Sequence, residues 1–242
     1  MLSGAQFVLA CFLLIAGIHL IEPRALPLTY LTAEYPEDSS SKTPALLFDM
    51  KTEPVADGDL LAKWSRVKAE ISGEFETLRR CHAAGTCPPE AQRLIAISAE
   101  GMGRTGRARV GLINRAVDLN ISPLSDERRW GADHWSAPFE TLQSGRGDCE
   151  DYAILKYVAL LEAGVPASDV KIVVMKNLLP REDHAAVAAR VDGEWLILDN
   201  LRLTLVRDTD VARSIPEFVL DQDGARRFVW ASRSRRSASR AG

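Results

Sequence analysis

Histidine and cysteine are scarce in these 242 residues, with four of each. That scarcity argues against a zinc scaffold: Cys81 and Cys87 have only His82 near them, short of the four ligands a structural zinc site needs. Acidic and basic residues nearly cancel, leaving a net charge of -3, which gives no cause to expect nucleic acid or an anionic membrane as partner. Glycine-rich phosphate loops, a dinucleotide fingerprint, an EF-hand loop and internal repeats are all lacking. The apolar run at residues 7–21 holds fifteen residues, whereas crossing a bilayer core takes about twenty, so it suits an export signal better than a span. No Lys or Arg precedes that run and no clean small-x-small site follows it. Residues 1–25 are therefore either a signal peptide or an uncleaved anchor. Val8-Leu9-Ala10-Cys11 imitates a lipoprotein box but falls too early in the run.

What is present suits one sizeable domain, since 46% of residues are hydrophobic. Residues 26–58 read as an irregular lead-in, 59–231 as the domain, and 232–242 as a basic, low-complexity tail whose composition favours a solvated disordered segment over a binding arm. Leu60, Trp64, Val67, Ile71, Phe75 and Leu78 recur at steps of three or four, the stripe of an amphipathic helix. Cys81 and Cys87 follow it; a small disulfide loop and two free thiols are both open readings. A second helix is expected from near Pro88, and a third over 105–119 that buries Val110, Ile113 and Val117. Residues 151–163 are strong helix formers, apolar almost all round, stopped by Gly164 and Pro166, and so expected at the centre of the fold. A β-branched strand is expected over 170–175. Beyond it, 187–191 and 194–198 flank Asp192-Gly193, a strong hairpin signal.

Cys149 carries the chemical argument. It stands in Gly147-Asp148-Cys149-Glu150-Asp151, immediately before the central helix. Helix N-termini carry partial positive charge and free N–H groups, so a thiol there is expected to ionise readily. His184 follows 35 residues later and Asp199 another 15 after that. If the hairpin forms, His184 and Asp199 lie near the same end of adjacent antiparallel strands, with the helix start delivering Cys149 to the imidazole. Nucleophile, base and orienting carboxylate then occur in that order.

Together, Gly147-Asp148-Cys149-Glu150-Asp151-Tyr152-Ala153, the 135–138 segment before it, Asp183-His184-Ala185 and Leu198-Asp199-Asn200 resemble the bacterial transglutaminase-like cysteine proteases of the LapG type, over about residues 60 to 205. The resemblance implies an α+β fold of the transglutaminase and papain-like kind, a helical N-terminal half packed on an antiparallel sheet with the cleft between them. It implies a calcium-dependent periplasmic endoprotease that clips a large surface adhesin and so releases biofilm cells, with an inner-membrane receptor as regulatory partner. By position, Cys149 is the nucleophile, His184 the general base and Asp199 its orienter, while Asp148 and Glu150 match the calcium-binding carboxylates.

Plainer readings stand beside these. A lone cysteine at a helix start is often structural, and Asp199 can simply open a turn with Asn200. Asp148 suits an N-cap, with Asp151 imitating a capping box, so both can serve helix initiation alone. Trp130 and Trp135 are core candidates by default; Trp135 is also a candidate indole donor to an oxyanion. His134 has no orienter visible in the sequence, which favours His184 as base. Amide transfer by the same triad, and a catalytically silent binding module, remain alternatives to hydrolysis.

Overall fold

A computed structural model describes residues 45–230. The N-terminal apolar run, the lipoprotein-like box, most of the lead-in and the basic tail lie outside the described residues. A 3-10 turn at Leu47–Asp49 leads into β1 (Lys51–Pro54). Three helices follow: α1 (Asp59–Ala84), α2 (Pro89–Met102) and α3 (Gly106–Asn120). After the two-residue strand β2 (Ser122–Pro123) come two short helices, α4 (Asp126–Arg129) and α5 (Pro138–Ser144), then β3 (Arg146–Gly147), paired with β2, and the central helix α6 (Cys149–Glu162). The remainder is β4 (Val170–Asn177), β5 (Asp183–Val191), β6 (Glu194–Asp199), β7 (Arg202–Arg207), β8 (Ser214–Asp221) and β9 (Gly224–Val229). The fold is thus α+β, with the helices ahead of an antiparallel sheet in the chain. No helix among the described residues is long and apolar enough to cross a membrane.

The sheet runs β1-β9-β8-β4-β5-β6-β7, every neighbour antiparallel. Strand side chains alternate between faces, so each strand feeds two cores. Ile172, Val187, Ala189, Leu196 and Leu220 pack toward the helices, whereas Val173, Met175, Ala186, Ala188 and Ile197 form a second cluster on the far face. The 47–50 turn covers that far cluster, and the Trp195 indole N–H donates to the Ala45 carbonyl at 2.9 Å. Lys51–Pro54 lies within the stretch expected to be an irregular lead-in. It instead forms an edge strand of the main sheet, because its partner is 178 positions away at Val229 and no local pattern announces it.

Helix α6 is buried from Asp151 through Leu160, as its apolar circumference requires. Even Lys156 is only 1% exposed; its Nζ lies 2.7 Å from Asp118 on α3, an ion contact whose angles fall short of a hydrogen bond. Burial pushes the Asp118 carboxyl up and the Lys156 ammonium down, each partly opposed by the other's charge. The stripe of α1 behaves as read: Trp64, Val67, Ile71 and Leu78 are buried, and the Trp64 indole N–H donates to the Asp221 carbonyl at 2.8 Å, tying α1 to β8. Cys81 and Cys87 are disulfide-bonded. In the β5–β6 hairpin Asp192 and Gly193 both take left-handed backbone, with φ of 52° and 83°, as the tight turn demands.

Candidate active site

The Cys149 position is built by a close approach of backbone to side chain. Helix α5 is capped by Gly145, the short β3 follows, and Asp148 in extended conformation hands the chain to α6. A Cβ on Gly147 would lie 2.6 Å from the Asp151 side chain, so only glycine admits that buried carboxyl at this point. Asp151 is 0% exposed and its Oδ1 accepts the Ser136 N–H at 2.8 Å. The Arg66 guanidinium donates to the Trp135 carbonyl at 2.8 Å, and the Phe139 N–H donates to Glu74 at 2.9 Å. Three side chains from α1 and α6 therefore fix the 135–139 segment, and with it Trp135, against the start of α6.

Hairpin register brings the other two groups together. Val187 sits opposite Leu198, so the end of β6 meets the beginning of β5. His184 Nε2 lies 3.0 Å from Asp199 Oδ1, both residues being about 5% exposed. The same Oδ1 accepts the Leu201 N–H at 3.0 Å, and Arg202 Nε stands 3.5 Å from Oδ2. Asp199 thus opens the turn and orients the imidazole at once. Burial alone would raise its carboxyl, but the His184 hydrogen bond and charge, the Leu201 N–H and Arg202 together hold it below the ordinary carboxylate range. With Nε2 facing Asp199, Nδ1 is the nitrogen left to exchange a proton.

Cys149, His184 and Trp135 line one cavity of about 430 Å³. Cys149 is the free cysteine among the described residues. Its thiol donates to Glu150 Oε2 at 3.1 Å rather than to His184. Burial first, and the Glu150 carboxylate second, push the thiol well above its usual range. The expectation of a readily ionised thiol at the helix start is therefore not met in this state. Desolvation and two acidic neighbours outweigh a dipole worth about 0.3–1 kcal/mol.

Those neighbours form a cluster that includes one residue the sequence did not single out. One carboxylate oxygen each from Asp126, Asp148 and Glu150 lie within 4.8 Å of one another. Asp148 Oδ2 accepts the Asp126 N–H at 3.0 Å, and Asp126 in turn accepts the His134 N–H. Neither Asp148 nor Asp151 caps α6 with its side chain, so the capping readings give way to these longer-range bonds. Oδ1 of Asp126 and Oδ1 of Asp148 are buried without a hydrogen-bond partner. Burial, then the adjacent Asp148 charge, pushes Glu150 up to about 9. Asp126 stands 22 positions before Asp148, and no spacing in the chain links the two. His134 finds an orienter after all, with Nε2 at 3.1 Å from Glu140, while its ring rests on the half-exposed Trp130 at 4.9 Å. That places its imidazole against Glu140 and Trp130, while His184 lines the cavity that Cys149 also lines.

A cysteine on a helix and a histidine on an antiparallel sheet share one cleft, the histidine bonded to a buried aspartate, and this agrees with what the chain resembles. The family model of the bacterial transglutaminase-like cysteine proteinases matches residues 84–237. The chain belongs to this family. Among solved structures, Legionella pneumophila LapG is 20% identical with a TM-score of 0.50, covering 69% of this chain and 88% of its own. Its calcium-bound form gives the same identity and TM-score over 74% of this chain and 93% of LapG. At that identity the likeness shows the fold. A UPF0252 protein of Methanocaldococcus jannaschii is 26% identical over 120 residues, which is 46% of this chain; the chain spans 34% of that relative's length.

Proposed function

We propose that the protein is a calcium-dependent cysteine endopeptidase in which Cys149, His184 and Asp199 hydrolyse a peptide bond. The observation that carries this reading is the buried 3.0 Å contact between His184 and Asp199, with His184 lining the same cavity as Cys149. His184 Nδ1 accepts the thiol proton as Sγ attacks the scissile carbonyl carbon. The backbone N–H of Cys149 and the Trp135 indole are the candidate donors to the oxyanion. The C–N bond then breaks as His184 passes the proton to the leaving amine, which gives a thioester. Water, deprotonated by His184, attacks that thioester and releases the acid and the thiol. Asp199, ionised throughout, keeps the imidazole in the tautomer these transfers need.

Asp126, Asp148 and Glu150 fit a calcium ion by chemistry: all are hard oxygen donors, and two of their buried oxygens lack any partner. When bound, the ion would supply the positive charge that lets all three stay ionised beside the nucleophile. Glu150 is at present the acceptor for the Cys149 thiol, so the protonation state of this carboxyl bears directly on the availability of the sulfur. We further assign the protein to the periplasm, with a large surface adhesin as substrate and an inner-membrane receptor as regulator. The apolar run at residues 7–21 and the Cys81–Cys87 disulfide support an exported setting.

Cleavage of an unstructured test protein in heavy-oxygen water examines the reaction. Hydrolysis places heavy oxygen in each new C-terminal carboxylate, is lost in EGTA, and returns with calcium but poorly with magnesium. Amine adducts or cross-links in place of fragments would overturn the reading in favour of transfer.

A further inference from the structure

Strand β8 breaks register where it passes the cleft. Val174 of β4 is opposite Phe218 and Met175 is opposite Pro216, leaving Glu217 as an extra residue with no partner on β4. In a regular strand Glu217 and Phe218 would point to opposite faces. The bulge turns both into the active-site cavity, a known use of bulges beside catalytic groups. Pro216, which has no N–H to give the ladder, sits beside this irregularity. The Phe218 ring is backed by the Arg227 guanidinium at 5.2 Å.

The cleft's other acids are committed. Asp183 is paired with Lys176 at 2.7 Å, Asp133 with Lys63, and Asp148 and Glu150 belong to the acidic cluster with Asp126. Glu217 is only partly exposed, and among the described residues no cation or hydrogen-bond donor engages its carboxylate. The geometry points to Glu217 as a specificity-determining residue that receives the side chain of a Lys or Arg in the substrate, with Phe218 covering the aliphatic stem. A bulge that spends a ladder position to aim a free carboxylate at bound peptide accounts for both the register shift and the absent partner. An arginine or lysine stem lies well against an aromatic face while its charged head reaches the carboxylate. The inference rests on the cleft being a peptide-binding site.

Binding tests it without requiring turnover. Short neutral peptides carrying Lys, Gln or Glu at one position at a time are titrated against the Cys149→Ala protein, alone and combined with Glu217→Gln or Glu217→Lys. At one peptide position Lys should bind tighter than Glu by about fivefold. Glu217→Gln should level that preference and Glu217→Lys reverse it. No charge preference at any position, or a preference unchanged in Glu217→Lys, overturns the proposal. Cleavage of the same peptides by the wild-type protein is scored separately. A preference that follows residue 217 without cleavage would keep Glu217's role and count against proteolysis alone.

Discussion

Glu74 offers a quantitative check on how the α1 scaffold holds the cleft. One of its oxygens accepts the Phe139 N–H, and the other, Oε2, is buried with no partner. Burial foremost, with the nearby charges of Glu70, Glu140 and Glu90, raises its carboxyl from 4.5 to about 8. The folded protein therefore holds this proton where the unfolded chain has lost it. Stability from this group is fully present below pH 4.5 and is lost as pH rises toward 8. At 1.36 kcal/mol per pKa unit the full shift is worth about 5 kcal/mol. Glu74→Gln keeps the acceptor for Phe139 and sets an N–H where the protonated acid sets an O–H, so the two proteins should be equally stable near pH 4.5. By pH 8 the variant should lead by a few kcal/mol. Urea unfolding followed by tryptophan fluorescence across this range measures the difference, which also cancels the other buried acids. Two stability curves that fall in parallel would refute the reasoning.

Lys156→Met should cost about 3–5 kcal/mol by stranding Asp118, and Lys156→Met with Asp118→Leu should recover most of it in the same unfolding assay; a double variant no better than the single would contradict this. Gly147→Ala should push Asp151 away from Ser136 and shift the Cys149 backbone, lowering kcat/KM about a hundredfold while circular dichroism stays that of the folded protein. Asp126→Asn should weaken calcium binding at least about tenfold by calorimetry, since removing one anionic ligand lowers the site's charge; undiminished affinity would place the ion elsewhere.

Much of the candidate site is legible in the chain because its determinants are local. Asp192-Gly193 sets the hairpin, the hairpin sets the meeting of His184 with Asp199, and the apolar run after Cys149 sets the central helix. The parts that escape the sequence are those decided by distant partners. Strand β8 is hidden by Pro216 and by the bulge at Glu217, which together erase the alternation that marks a strand. Edge strand β1 exists only through β9. Asp148 looks like a helix cap but finds a better donor in the Asp126 N–H, and Asp126 itself carries no mark in the sequence. The state of the Cys149 thiol is likewise set by burial and by Glu150, terms that a helix-start argument omits.

The central claim is that Cys149 Sγ forms the covalent intermediate. Rapid acid quenching of wild-type protein during turnover of a cleaved peptide, followed by digestion and mass spectrometry, reads this directly. The account predicts the N-terminal product fragment joined as a thioester to the Cys149 peptide, absent from Cys149→Ala. Fragments released by Cys149→Ala at the wild-type rate, with no adduct on Cys149 in the wild-type protein, would contradict it.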